Sequence, residues 1–129
     1  MTTSPERSRA QDDTLRMRRH AEEIFMTAVA AVKPEACISR IVERSGDILT
    51  LCAEEIDLKG IDNLYLIGAG KASAAMAAAM EALLGDTITA GRICVKYDHG
   101  APLERCQLFE AGHPFPDAAG STAAEAILE

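Results

Sequence analysis

Hydrophobic residues in the first third of the chain follow the spacing of α-helices. Apolar side chains recur every three or four positions from Asp12 or Asp13 up to Pro34, which predicts a long helix. A second, shorter helix is predicted over Glu35–Arg44, with Pro34 in its first turn. Residues 1–10 are polar and carry no such pattern, so they predict a flexible N-terminal tail.

The middle of the chain alternates short apolar runs with turn residues. Ile48–Leu51 and Glu55–Leu58 predict two short strands. Leu64–Ile67 is a continuous apolar run, which is typical of a strand that is covered on both faces of a parallel sheet. Ala72–Leu84 is rich in alanine and predicts a helix that Gly85 ends.

Two further strands and a helix complete the pattern. Arg92–Tyr97 predicts a second buried strand, Leu108–Ala111 predicts a third, and Asp117 opens the last helix. Strand, helix and strand in this order predict a right-handed parallel crossover, so the fold class is α/β: a Rossmann-like parallel sheet with flanking helices. Because three strands make a narrow sheet and the last helix reaches Glu129 without a stop signal, we expect residues 11–129 to be an incomplete N-terminal part of a larger domain.

Composition and charge argue against several classes of function. The chain has 20 acidic and 13 basic residues and a formal net charge of −7, which makes it a poor nonspecific binder of nucleic acid. It contains neither an apolar run long enough to cross a membrane nor a signal peptide, so we expect a cytoplasmic location and no membrane partner. Its four cysteines include no CxxC pair, and no metal site is predicted from them.

The first candidate for chemistry is the turn Gly68-Ala69-Gly70-Lys71, between a predicted strand and the alanine-rich helix. Its glycines allow a tight turn and a close approach of the backbone to a ligand, and the N-terminus of a helix favours an anion. Lys71 adds a full positive charge. The alternative is a tight turn with a surface lysine. The P-loop pattern does not fit, because Tyr65 and Ala72 stand at its first glycine and at its serine or threonine.

A dinucleotide-binding fingerprint also fits the turn poorly. Ser73 stands at the position of its third glycine. The next strand ends in Lys96-Tyr97-Asp98-His99-Gly100, in which the acidic residue, Asp98, comes late for the ribose-binding position. Support for NAD is therefore weak, whereas Lys96 suits a phosphate or a carboxylate. His99 is a candidate acid–base group or a polar loop residue.

A third loop, Gly112–Asp117, follows the last predicted strand and contains His113 between a glycine and a proline. Asp117 is expected to cap the helix that follows. Because the carboxyl ends of parallel strands meet at one edge of a sheet, we expect Lys71, Lys96, His99 and His113 to converge there. This concentration of cationic and titratable groups in an acidic protein points to a small anionic substrate that is phosphorylated or becomes phosphorylated.

Three stretches together resemble the N-terminal third of the glycerate 2-kinase family, the MOFRL-type glycerate kinases that are often labelled hydroxypyruvate reductases. The stretches are Ile67–Ala72, Val95–Gly100 and Glu110–Gly120. The resemblance implies ATP-dependent phosphorylation of D-glycerate to 2-phosphoglycerate, with Mg²⁺, on a Rossmann-like domain joined to a C-terminal domain that this chain lacks. It implies that Lys71 is the catalytic residue that contacts the phosphoryl group. The substrate- or phosphate-binding residues that it implies are Gly68, Gly70, Lys71, Lys96, His99 and His113.

Two other functions stay open at this point. An NAD(P)H-dependent hydroxypyruvate reductase would oxidise its nicotinamide cofactor without ATP. A non-catalytic fragment that binds an anion or a partner would show binding or association without turnover. The expected partners are glycerate and ATP, with a homo-oligomer as an open alternative. Since the later loops of the glycerate 2-kinase family are absent from these 129 residues, we expect a fragment whose independent catalysis is in question.

Overall fold

The structure is a computed structural model that describes the backbone of residues 5–129 and the side chains from residue 9 onward. Residues 1–4 of the predicted tail lie outside the described residues. The chain divides into two compact units, with the boundary between Lys33 and Pro34. Nothing in the described part of the chain forms a helix of the length and hydrophobicity needed to span a membrane.

The described part of the first unit is dominated by one helix, α1 (Pro5–Ala31). It begins at Pro5, well before the predicted start at Asp12 or Asp13. Residues 5–10, which were predicted to belong to a flexible tail, are therefore helical. Proline is favoured in the first turn of a helix, and the Arg-, Glu- and Ala-rich residues that follow have high helix propensity without any apolar period. Propensity therefore extends the helix beyond the region that the hydrophobic pattern marks.

The second unit opens with a short helix and an antiparallel meander. The elements are α2 (Pro34–Ile41), β1 (Val42–Ser45), β2 (Ile48–Leu51) and β3 (Glu54–Asp57). Each strand pairs with the next in the order β1-β2-β3. A turn of 3-10 helix over Leu58–Gly60 leads out of the meander, with the Asp57 side chain accepting a hydrogen bond from the Lys59 amide.

Residues 42–44 belong to a strand, whereas the sequence predicts them to be helical. Val42 pairs with Leu51 and is buried, in one core with Ile38 and Leu49. Arg44 donates a hydrogen bond from Nη1 to the Leu84 carbonyl oxygen at 2.8 Å. This bond connects the meander to the C-terminal end of the helix over Ser73–Leu84. These contacts with residues distant in sequence override the local helical spacing.

The rest of the second unit is a parallel sheet with flanking helices. Its elements are β4 (Tyr65–Ala69), α3 (Ser73–Leu84), β5 (Ala90–Lys96), β6 (Cys106–Ala111) and α4 (Ala118–Leu128). The strand order is β4-β5-β6, and both pairs are parallel. The predicted α/β class is therefore confirmed, and the predicted sequence of strands and helices is found in the predicted order.

The core of the parallel sheet lies between β5 and α3. Ile93 and Val95 of β5 are almost fully buried and belong to one cluster with Ala74 and Ala77 of α3. The prediction that the first parallel strand is covered on both faces is wrong, because Tyr65 and Ile67 are 63% and 62% exposed. Strand β4 lies at one edge of the sheet, and among the described residues only one of its faces is packed.

The start of β6 is fastened to α3 by a single carboxylate. Glu81 accepts hydrogen bonds from three consecutive backbone amides, those of Glu104 at 2.7 Å, Arg105 at 2.9 Å and Cys106 at 2.8 Å. Partial burial raises the pKa of Glu81, but these hydrogen bonds outweigh burial and hold the pKa below its ordinary value of 4.5. The carboxylate therefore stabilises the fold fully above pH 4.5, and this contribution declines as the pH falls through the lowered pKa.

Replacement of Glu81 with Gln is expected to lower the free energy of unfolding at pH 7 by about 2 kcal/mol, since the amide keeps one acceptor oxygen and places N–H groups against backbone donors. Urea unfolding between pH 7 and pH 3 measures the effect. The difference between wild type and Glu81→Gln should shrink at acid pH. The matched control is Glu125→Gln on the exposed surface of α4. Equal losses in the two variants would contradict the anchoring role of Glu81.

Candidate anion-binding site

The turn between β4 and α3 requires glycine at two positions. Gly70 has a φ of +124°, in the region that residues with side chains rarely adopt. At Gly68, a Cβ atom would lie 3.0 Å from Ser73 Cβ and 3.2 Å from Ile93 Cδ1. The first glycine therefore allows the strand and the helix to approach closely, and the second allows the chain to reverse before Lys71.

Ser73 holds this turn closed from inside the protein. It is buried, and its Oγ donates a hydrogen bond to the Gly70 carbonyl oxygen at 2.5 Å. The Gly70 amide donates to the Cys94 carbonyl oxygen at 3.0 Å, which extends the pairing of β4 with β5. The residue at the third fingerprint position thus serves the backbone of the turn. Lys71, which follows the turn, is exposed. Ala72 is the N-cap residue of α3, and it has no side-chain atom that could accept a hydrogen bond from the first amides of the helix.

A crevice of about 140 Å³ opens where the carboxyl ends of the three parallel strands meet. It brings together Gly70, Lys71, Lys96 and His113, one or more from each of the three predicted loops. The volume is below the ~300–1,000 Å³ of a pocket for a drug-sized ligand, so the crevice suits a small anionic group. Lys71, Lys96 and His113 are among its lining residues, and basic side chains beside a helix N-terminus favour such a group electrostatically.

Two predicted site residues lie outside this crevice. Gly68 borders a neighbouring cavity of about 390 Å³, which shares Ala69, Gly70 and Lys71 with the crevice and continues between β4 and α3 toward Ile38. His99 does not line the crevice; its Nδ1 lies 3.0 Å from the Tyr97 carbonyl oxygen. The left-handed backbone of Asp98, with φ of +63°, turns the chain between the strand end and His99.

The third loop is closed by a hydrogen-bond network centred on Asp117, of which only the helix cap was predicted from the sequence. Asp117 caps α4, as predicted, with Oδ1 accepting from the Gly120 amide at 2.9 Å. Its other oxygen, Oδ2, accepts from the Gly112 amide at 3.1 Å and from the Tyr97 hydroxyl at 2.8 Å. The peptide bond between His113 and Pro114 is cis. Tyr97 was missed, and its place directly after a strand at the candidate edge is the only sequence signal for it.

The two side chains of this network influence each other's ionisation. Hydrogen bonds from the Gly120 and Gly112 amides and from the Tyr97 hydroxyl hold the pKa of Asp117 below its ordinary value. The bond to Asp117 raises the pKa of Tyr97 above its ordinary value. At neutral pH the pair is therefore a carboxylate and a neutral phenol, the combination in which the phenol donates.

The residues of the crevice do not fit a bound Mg²⁺ ion. Mg²⁺ is held in proteins by carboxylate oxygens together with water and substrate phosphates, and no carboxylate lines this crevice in the described part of the chain. Residues 9–129, whose side chains the structure describes, also contain no group of three His, Cys, Asp or Glu side chains that could hold a metal ion. Lys71 and Lys96 would repel a cation, so this chain contributes positive charge to the site.

The family of the chain is decided by its match to a family model. Residues 20–129 match the model described as "Domain of unknown function (DUF4147)". The chain belongs to the DUF4147 family. This family corresponds to the N-terminal domain of the glycerate 2-kinase or MOFRL family, so the predicted resemblance is confirmed.

Relatives of this DUF4147 chain carry the names that the resemblance implies. A glycerate 2-kinase from Pyrococcus horikoshii is 36% identical over 90 residues, which cover 70% of this chain and 20% of the relative. A protein from Agrobacterium vitis with the provisional name of a hydroxypyruvate reductase is 37% identical over 106 residues, 81% of this chain and 21% of its own length. The crystal structure of a glycerate kinase from Thermotoga maritima superposes with a TM-score of 0.64 at 25% identity, over 87% of this chain and 24% of that one. The chain thus spans about a fifth to a quarter of the length of these relatives.

Proposed function

We propose that this DUF4147 chain forms part of the substrate site of a glycerate 2-kinase, which transfers the γ-phosphoryl group of ATP to the 2-hydroxyl of D-glycerate. The observation that carries the proposal is the crevice where Lys71, Lys96 and His113 meet at the carboxyl ends of three parallel strands. This cationic crevice belongs to a chain with a net charge of −7, so its charge is local. The names of the kinase relatives supply the substrate, glycerate, and the resemblance to the glycerate 2-kinase family supplies its D configuration.

Phosphoryl transfer needs positioning and charge neutralisation more than covalent chemistry from the protein. The glycerate 2-hydroxyl oxygen forms a bond to the γ-phosphorus, the bond from that phosphorus to the bridging oxygen of ADP breaks, and the hydroxyl proton passes to a base. Lys71 and the N-terminus of α3, which the Gly68–Gly70 turn brings to the crevice, stabilise the negative charge on the transferred group. Lys96 and His113 hold the anionic substrate in the crevice, and His99 lies in the loop next to it.

The direct test is an assay of the complete gene product that contains this chain. Incubation with D-glycerate, ATP and MgCl₂ should consume ATP and form 2-phosphoglycerate, which ³¹P NMR distinguishes from the 3-phosphate. L-glycerate serves as the matched control substrate and should react much more slowly. Formation of 3-phosphoglycerate alone, or the absence of ATP consumption with D-glycerate, would contradict the proposal.

A hydroxypyruvate reductase is the second candidate, and the name of the Agrobacterium vitis relative favours it. The end of β5 counts against it, because Lys96 closes the strand where a ribose-binding acidic residue would be expected. The same preparation should be incubated with hydroxypyruvate and NADH in the absence of ATP. Oxidation of NADH would favour the reductase, whereas binding of D-glycerate without either reaction would favour a non-catalytic anion-binding function.

A further inference from the structure

The Tyr97–Asp117 hydrogen bond joins two of the three loops at the candidate site. Capping of α4 requires only the bond from the Gly120 amide to Asp117 Oδ1. The bonds from the Gly112 amide and from the Tyr97 hydroxyl to Oδ2 go beyond capping, because their donors lie outside α4. One carboxylate therefore connects the end of β5, the first residue after β6 and the first turn of α4.

The loop that carries His113 is packed tightly against this carboxylate. A Cβ atom on Gly112 would lie 2.6 Å from the Phe115 carbonyl oxygen and 3.0 Å from Asp117 Oδ2. The backbone of Tyr97 joins the same region, since its amide donates to the Ala111 carbonyl oxygen at 3.2 Å. The residue before His113 is thus fixed on both sides, by the strand pairing and by Asp117.

Tyr97 and Asp117 do not themselves line the crevice, whereas Gly112 and His113 do. We infer that Tyr97 and Asp117 are positioning residues of the anion site: their hydrogen bond fixes the loop that presents His113 beside Lys71 and Lys96. This inference rests on the proposed function, because it concerns the same crevice.

The test measures binding of D-glycerate and of inorganic phosphate by isothermal titration calorimetry, on the complete gene product and well below its unfolding temperature. Tyr97→Phe removes only the donating oxygen and should weaken D-glycerate binding roughly tenfold, because a small misplacement of a binding group is costly. The matched control is Tyr65→Phe, since the Tyr65 side chain is exposed on β4 and makes no hydrogen bond within the described residues. It should leave both dissociation constants unchanged.

A double-mutant cycle with His113→Ala separates positioning from a structural role. If Tyr97 acts through His113, then Tyr97→Phe should have no further effect on binding once His113 is alanine. Asp117→Ser, which retains a helix cap, should weaken binding as Tyr97→Phe does. Unchanged binding in Tyr97→Phe, or equal losses with and without the His113 side chain, would overturn the inference while leaving the proposed function intact. A wild-type protein that binds neither probe would overturn the proposed function and the inference together.

Discussion

Under the proposed function, replacement of Lys71 with alanine should reduce the rate of D-glycerate phosphorylation at least ~10³-fold, because it removes a full positive charge directly after the turn proposed to receive the phosphoryl group. The same change should leave stability nearly unaltered. Lys71 is exposed and forms no ion pair or hydrogen bond with other described residues, so its removal breaks no contact within this part of the protein. Steady-state kinetics and thermal unfolding of the same preparation measure the two effects.

Lys59→Ala is the matched control for this experiment, because it removes the same charge from an exposed lysine that does not line the crevice. Lys59 forms an ion pair with Asp47 at 3.1 Å, and an exposed pair of this kind contributes about 1 kcal/mol or less. Turnover should stay within about twofold of wild type in Lys59→Ala. Comparable turnover in Lys71→Ala and wild type would remove the basis for assigning Lys71 a catalytic role.

The parallel sheet could be predicted from the sequence because its apolar runs are bounded by strong local signals. Gly85 ends α3 with a φ of +53°, and Asp117 caps α4, so the local chemistry of these residues marks the ends of both helices. Exposure of β4 could not be predicted, since an apolar run such as Leu64–Ile67 does not reveal which elements cover it. Most of the strand β1 was predicted to be helical for a related reason: its first residue, Val42, pairs with Leu51, which belongs to a later segment of the chain.

Convergence of the loops at one sheet edge follows from topology, which explains why Lys71, Lys96 and His113 could be named in advance as neighbours. The direction in which each side chain points depends on the backbone dihedral angles, which the spacing of residues along the sequence does not reveal. His99 follows a left-handed residue, Asp98, and lies outside the crevice. The Tyr97–Asp117 bond spans 20 residues of sequence and leaves no local pattern that would indicate it.

The largest loss of stability is expected from Gly91→Ala in the central strand β5. Gly91 pairs with Leu66 on one side and with Cys106 on the other. A Cβ atom at position 91 would lie 2.7 Å from the Leu66 carbonyl oxygen and would overlap the Cys106 side chain. Because that oxygen belongs to the backbone of the neighbouring strand, relief requires a shift of the sheet. We expect a loss of about 3 kcal/mol in the free energy of unfolding, measured by urea denaturation.

Gly60→Ala is the control for the intrinsic effect of the substitution, since a Cβ atom at position 60 meets nothing within 4 Å. That variant should differ from wild type by less than about 1 kcal/mol, and the smaller freedom of alanine in the unfolded chain favours a slight gain. The double variant Gly91→Ala/Cys106→Ala separates the two contacts at the sheet centre. Removal of the sulfur should restore only part of the lost stability, because the contact with the Leu66 oxygen persists. Complete recovery in the double variant would locate the whole cost at Cys106 and would contradict the backbone contact as a source of strain.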